Sequence, residues 1–227
     1  MTRRRPRPAR EAILIVCEGR ETEPRYFEAL KKKLGLTATV DVEIRGGTGH
    51  TDPRGLVDDA LKLQKERKKL AEASTNLVPF DEVWVVFDTE HPTNGRGPAI
   101  APAVQYALSK KLHPVLSRPS FEVWYILHDR LNPPGVATSA ECVAVLRACA
   151  GDYGKSHDAA DKIAAWALPK THKALTHGHR QDVFGGPESA HAFHIPSAVG
   201  TAAYRLVQRL VDMCSDDIAK RSLGIQS

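Results

Sequence analysis

Two uninterrupted apolar runs that each end on acidic residues constrain the fold of this chain more than any other feature. The first, ILIVC at residues 13–17, is followed by Glu18, and the second, VWVVF at residues 83–87, is followed by Asp88 and Glu90. A continuous apolar run, in contrast to an alternating one, is typical of a strand that is covered on both faces. The sequence therefore predicts buried parallel strands with carboxylates at their ends.

Helical patterns alternate with these strands. In chain order, the sequence predicts a helix that starts at residues 22–24 and ends at Gly35, a strand over 39–44, a helix from about 52 to about 70, a helix over 99–109 and a strand over 113–117. Strands that alternate with helices at this spacing favour an α/β fold with a parallel, doubly wound sheet and right-handed crossovers.

The pattern changes after LNPPG at residues 131–135. Helices are predicted around 139–150, 156–168 and 197–214, with a loop rich in Gly and His between 176 and 191 and no further strand. The predicted organisation is a disordered basic tail (1–11), an α/β core (12–130) and a helical C-terminal extension packed on that core (131–227).

Composition indicates a soluble, cytoplasmic protein with no membrane partner. No apolar run approaches the roughly 18 residues of a membrane span, and the arginine-rich N-terminus lacks the apolar segment of a secretory signal. The four cysteines are widely spaced, without a CxxC pair, and are expected to be reduced thiols.

The positive charge of the chain is concentrated at its start. The formal net charge is +5, and residues 1–10 hold five arginines and no acid, which leaves equal numbers of basic and acidic residues in the remainder. Two interpretations of this tail stay open, a disordered leader that aids solubility and an arm that contacts phosphate groups.

The acids after the two buried strands predict a shared site. In an open parallel sheet, ligands bind beyond the carboxyl ends of the strands, where Glu18, Asp88 and Glu90 are placed. Carboxylates gathered there repel one another unless a cation lies between them. Oxygen ligands suit Mg²⁺ or Mn²⁺, which points to phosphate-ester chemistry. The alternative is that each acid is a polar residue in a turn.

Four segments in this order resemble the RloB-like family of bacterial proteins, whose core is similar to the Toprim fold: ILIVCEGRETEPRYF, VWVVFDTEHP, SRPSFEVWYILH and IPSAVGTAAYRLV. The resemblance extends from about Ile13 to about Met213. It implies that Glu18 acts as general acid or base and that Asp88 and Glu90 hold magnesium. The chain departs from the family pattern at Glu90, where aspartate is common, and at Arg20, where an acid is frequent.

Further candidate residues flank these acids. Glu122 is expected in the first turn of a helix capped by Ser120, where the helix dipole alone would explain an acid. The resemblance to the family motif F-E-x-W makes Glu122 an additional catalytic candidate. Arg118, after the fourth strand, is a candidate for binding substrate phosphate. Lys155, in a segment where the family commonly has a tyrosine and a lysine, is a candidate for phosphate binding and catalysis.

Two other patterns predict loops. The segment GGTGH at residues 46–50 lacks the lysine and the serine or threonine of a Walker motif. Five histidines, at residues 172, 177, 179, 191 and 194, lack a cysteine pair or an HExxH motif, and they are interpreted as a mobile loop, with a substrate-contacting role as the alternative.

The resemblance implies a metal-dependent nuclease that cleaves RNA or DNA as an effector of bacterial anti-phage defence and abortive infection. Its expected partners are a nucleic acid substrate and a protein of the same defence system. The competing hypothesis is a non-catalytic module that binds nucleic acid or a partner protein. The sequence does not indicate RNA over DNA, nor an oligomeric state.

Overall fold

The fold is built on one five-stranded sheet. The computed structural model describes residues 11–36, 40–47, 52–74, 76–90, 97–131, 136–151, 153–154, 156–184 and 198–226. The strands are β1 (Glu11–Cys17), β2 (Val40–Gly46), β3 (Glu82–Asp88), β4 (His113–Arg118) and β5 (Gly200–Thr201), in the spatial order β2-β1-β3-β4-β5. The first four strands are parallel and β5 is antiparallel to β4.

Helices connect and cover the strands. Within the described residues they are α1 (Thr22–Lys33), α2 (Pro53–Glu72), α3 (Gly97–Ser109), α4 (Glu122–Leu127), α5 (Ser139–Ala150), α6 (His157–Ala167), α7 (Thr171–Arg180), α8 (Ala203–Asp212) and α9 (Asp217–Arg221), with a 3₁₀ turn at Leu168–Lys170. The predicted α/β class, with a largely parallel sheet flanked by helices, is confirmed, and the arrangement is consistent with a Toprim-like core.

The sheet is buried on both faces because successive side chains of a strand point to opposite sides. Along β1, Ile13 and Ile15 belong to one apolar cluster, together with residues of α1, α4 and α8. Leu14 and Val16 belong to the other, together with residues of α2 and α3. The continuous apolar run of β1 follows from this double coverage.

Helix starts follow local capping chemistry. The side chain of Asp52 accepts a hydrogen bond of 2.8 Å from the Gly55 N–H at the start of α2. Thr138 caps α5, where its hydroxyl accepts from the Glu141 N–H and the Glu141 carboxylate accepts from the Thr138 N–H. Each cap satisfies a backbone donor that the helix itself leaves without a partner.

The predicted cap of α4 is wrong. Phe121, not Ser120, is the N-cap residue, and its helical φ of −61° leaves no side-chain cap bond at this helix start. The Ser120 hydroxyl is buried at 2 % exposure and has no hydrogen-bond partner among the described residues. The helix begins at Glu122, one residue later than a Ser120 cap would place it, and the ring of Phe121 packs in the aromatic core beside Tyr26.

The predicted Gly- and His-rich loop is also partly wrong. Residues 176–180 are the last turns of α7, which contains three of the five histidines. Gly178 is required there by packing, since a Cβ atom at this position would lie 2.6 Å from the Cβ of Tyr204 on α8. The remaining histidines, His191 and His194, lie outside the described residues, as do residues 48–50 of the other predicted loop.

A strand reappears after residue 131, contrary to the expectation of none. Gly200 pairs with Arg118 and Thr201 pairs with Ser117 at the edge of the sheet. The hydroxyls of Ser117 and Thr201 are 2.8 Å apart and form a buried hydrogen bond. A two-residue strand is too short to produce a period-2 pattern, so the sequence did not reveal it.

No helix among the described residues is both long and apolar enough to cross a membrane. The predicted disordered tail lies outside the described residues as far as Arg10, and Glu11 is already the first residue of β1.

Candidate functional site

An acidic cleft lies at the carboxyl ends of β1 and β3. Its volume is about 310 Å³, and six acidic residues line it: Glu18, Glu21, Glu23, Asp88, Glu90 and Glu122. They come from the ends of two strands and the starts of two helices, α1 and α4, because these elements all end or begin at one edge of the parallel sheet. The structure thus brings the four predicted carboxylates, Glu18, Asp88, Glu90 and Glu122, into one concave surface.

Glu18 and Asp88 are linked directly. The Asp88 N–H donates a hydrogen bond of 3.2 Å to Oε2 of Glu18. The Glu18 N–H in turn donates to the carbonyl oxygen of Val86, so the ladder between β1 and β3 continues to the edge of the cleft. These bonds fix the carboxylate of Glu18 relative to the backbone at the end of β3.

Glu90 reaches the cleft by a different route from the one expected. Asp88 and Glu90 are two residues apart and would point to the same side of a strand that continued through both, but β3 ends at Asp88. Glu90 has a left-handed φ of 50°, a conformation that costs a non-glycine residue on the order of 1 kcal/mol. Its N–H donates a 2.8 Å hydrogen bond to the Pro119 carbonyl, which fixes the turn and keeps Glu90 in the cleft lining.

Glu23 is a residue of the cleft that the sequence analysis did not identify. It lies in the first turn of α1, is 3 % exposed, and accepts a 3.3 Å hydrogen bond from the Gly19 N–H. A Cβ atom at Gly19 would lie 2.0 Å from Oε2 of Glu23, so only glycine leaves room for this carboxyl group. Acids are common in the first turn of a helix because the helix dipole stabilises them, so nothing in the sequence assigned Glu23 to a site.

The pKa of Glu23 is raised to about 7, mainly because burial disfavours the charged form. The negative charges of Glu122 and Glu18 raise it further. The pKa of the buried Cys17 thiol is raised chiefly by burial, with contributions from Glu23 and Asp88. The acids of the cleft are therefore close enough to repel one another.

Glu122 is held by a residue from the C-terminal part of the chain. It is 2 % exposed, and its Oε1 accepts a 2.8 Å hydrogen bond from the hydroxyl of Tyr153. Tyr153 lies between α5 and α6 and is itself 3 % exposed. In the sequence, the signal for this contact was the resemblance of the segment around Tyr153 to a family segment that commonly has a tyrosine and a lysine.

Of the two predicted phosphate-binding residues, the structure describes only Arg118. Arg118 is 6 % exposed at the end of β4, where burial lowers its pKa, and it does not line the cleft. Lys155 lies outside the described residues. Arg20, noted in the sequence as a departure from the family pattern, is exposed and does line the cleft, where it adds a positive charge.

The donor set of the cleft fits a hard cation. No group of three His, Cys, Asp or Glu side chains in the described part of the chain is arranged closely enough to hold a metal ion by itself. Mg²⁺ commonly takes only one or two protein carboxylates and completes its octahedron with water and substrate phosphate. Glu18 and Asp88 supply such oxygens, and a cation would relieve the repulsion that, in addition to burial, raises the pKa of Glu23.

Comparison with known proteins gives one family match. The model of a family described as RloB-like protein matches residues 13–210, a segment that contains all six acids of the cleft and Tyr153. No curated protein matches the chain, and no solved structure does.

Proposed function

The chain belongs to the RloB-like protein family, and from this membership together with the acidic cleft we propose that it is a metal-dependent nuclease. Its substrate class is the phosphodiester bond of RNA or DNA, and its role is that of an effector in bacterial defence against phage. The observation that carries the proposal is the pairing of Glu18 with Asp88 at the ends of two buried parallel strands.

Asp88 and Glu90 would hold Mg²⁺ or Mn²⁺, with Glu18 at the same site. When bound, the cation would supply positive charge to the transferring phosphoryl group. Glu18 would take a proton from the attacking oxygen, or give one to the leaving oxygen, at its carboxylate. The hydrogen bond from the Asp88 N–H restrains the orientation of that carboxylate, which would favour its positioning for the reaction.

A nuclease also needs a positive group that meets the substrate phosphate. Arg20 is a candidate for this role because it lines the cleft, two residues after Glu18, and is exposed to an incoming nucleic acid. Arg118 and Lys155 stay candidates for contacts with phosphates outside the described cleft lining. An arginine binds phosphate in a bidentate manner, which orients the scissile bond as well as attracting it.

The test incubates the purified full chain with tRNA, single-stranded RNA and plasmid DNA, in Mg²⁺, in Mn²⁺ and in EDTA. We expect metal-dependent cleavage by the wild type and a loss of about 10²- to 10⁴-fold in Glu18→Gln, the range that a general acid or base contributes. Asp88→Asn is expected to lose cleavage as well. Glu28→Gln serves as the matched control, because Glu28 is an exposed acid of α1 that does not line the cleft.

The outcomes separate the two functional classes. Cleavage that survives in Asp88→Asn would show that the proposed mechanism is wrong. Tight binding of a nucleic acid in EDTA, with no cleavage under any condition, would instead identify a non-catalytic binding module.

A further inference from the structure

The contact between Glu122, which lines the cleft, and Tyr153 joins distant parts of the chain. Glu122 is the first residue of α4, and Tyr153 lies 31 residues further on. Both side chains are almost fully buried, with 2 % and 3 % exposure. A buried carboxylate without a hydrogen-bond partner is costly, so this contact is a structural requirement and not a surface coincidence.

Tyr153 is itself held from two sides. Its carbonyl oxygen accepts a 2.9 Å hydrogen bond from Nε of Arg147 on α5, and its hydroxyl lies 3.4 Å from Oγ1 of Thr22 on α1. Burial, followed by the negative charge of Glu122, raises the pKa of the phenol. The hydroxyl therefore stays protonated and available as a donor across the neutral pH range.

A hydrogen bond to one carboxylate oxygen fixes the rotamer of the side chain and leaves the second oxygen to accept elsewhere. We propose that Tyr153 is a positioning residue of the cleft, whose hydroxyl sets the carboxylate of Glu122 for binding a divalent cation. Tyr153, which lies between α5 and α6, thereby supports a site that is otherwise built from the sheet edge. This inference rests on the proposed function, because it assumes that the cleft binds a cation.

Tyr153→Phe in the full chain tests the proposal, since the change removes the hydroxyl and keeps the ring. The readout is the Mn²⁺ dissociation constant, measured by calorimetry at fixed pH, which does not depend on cleavage. We expect Mn²⁺ to bind about 10- to 100-fold more weakly, the loss that is typical when the partner of a ligating group is removed.

Tyr125→Phe is the matched control. The Tyr125 hydroxyl is also buried and also contacts Thr22, but it donates to the main-chain carbonyl oxygen at 3.2 Å and not to a carboxylate. Its removal is expected to leave the Mn²⁺ affinity within experimental error of the wild type. Circular dichroism and Tm of each variant establish that it is folded before its affinity is compared.

A double variant shows whether Tyr153 acts through Glu122. In a Glu122→Gln background, Tyr153→Phe is expected to cause almost no further loss of Mn²⁺ affinity. Equal Mn²⁺ affinity in wild type and Tyr153→Phe, with binding still abolished by Asp88→Asn, would overturn the positioning role and leave the proposed function standing. A wild type that binds no Mn²⁺ would overturn both.

Discussion

The carboxyl group of Glu23 has an environment very different from that of an ordinary surface acid, because it is buried beside other carboxylates. Its pKa of about 7 in the folded protein, against 4.5 normally, means that the folded state binds more protons than the unfolded state between these two values. Raising the pH through this window therefore lowers the free energy of unfolding, by on the order of 3 kcal/mol in total for a shift of this size.

Glu23→Gln is expected to remove this loss of stability. The amide has the same shape and its oxygen still accepts from the Gly19 N–H, but it carries no charge above pH 7. Urea unfolding in EDTA should show the variant more stable than the wild type at pH 8, with the difference shrinking toward zero below pH 5. A difference that stays constant from pH 5 to pH 8 would contradict the raised pKa. Glu28→Gln, at an exposed position of the same helix, is the control.

The sequence indicated some residues of the cleft and not others, for a physical reason. Glu18 and Asp88 directly follow apolar runs, and the carboxyl ends of parallel strands meet at one edge, so their proximity follows from local pattern and topology alone. Glu23 lies in the cleft because of how α1 packs at the sheet edge, and Tyr153 contacts the cleft residue Glu122 through a hydrogen bond between distant segments. Contacts of that kind leave no local pattern, and the role of Glu23 became visible only in three dimensions.

Among the helices, α5 owes its start to a reciprocal cap. The Thr138 hydroxyl accepts a 3.2 Å hydrogen bond from the Glu141 N–H, and Oε2 of Glu141 accepts a 2.8 Å bond from the Thr138 N–H. Thr138→Ala is expected to lower the free energy of unfolding by about 1 kcal/mol, because one of these donors then loses its partner at the helix end. Chemical denaturation measures the change.

Ser139→Ala is the control for this cap. Ser139 is the first residue of α5, and the substitution leaves both hydrogen bonds of the cap in place. We expect a change below about 0.5 kcal/mol. An equal loss in the two variants would mean that the cap contributes nothing specific.

A long helix with clear sequence signals was predicted correctly, whereas a helix stabilised by packing in spite of weak helix-forming residues was not. The helix α2 has 20 residues and an aspartate cap, and both its start and its approximate end were predicted. The segment of α7 contains a glycine and several histidines, which are weak helix formers, so it was interpreted as a loop. Packing of Gly178 against Tyr204 stabilises the helix there in spite of its composition.

At the scale of the whole molecule, the sheet separates two apolar clusters that are both fully covered. Leu14 and Ile15 are neighbours in β1, each with 0 % exposure, yet they belong to different clusters on opposite faces. Leu14→Ala and Ile15→Ala are each expected to cost about 2–5 kcal/mol of unfolding free energy, because each leaves a cavity in a packed core.

Leu70→Ala is the control for both core variants, since Leu70 is 58 % exposed on α2. Its effect should fall within about 0.5 kcal/mol of zero in urea unfolding. A sheet covered on one face only would tolerate one of the two β1 substitutions, so a near-zero cost for either would contradict the doubly wound arrangement.

The hydrogen bond between Glu122 and Tyr153 can form only late in the synthesis of the chain. Glu18 and Asp88 emerge from the ribosome well before Tyr153. A contact between residues far apart in sequence forms only after the chain between them has been synthesised. A nascent chain shorter than this has the acids of the sheet edge without the hydroxyl that holds Glu122. Any property that depends on this contact can therefore arise only after residue 153 has emerged from the ribosome, however early the sheet edge itself has formed.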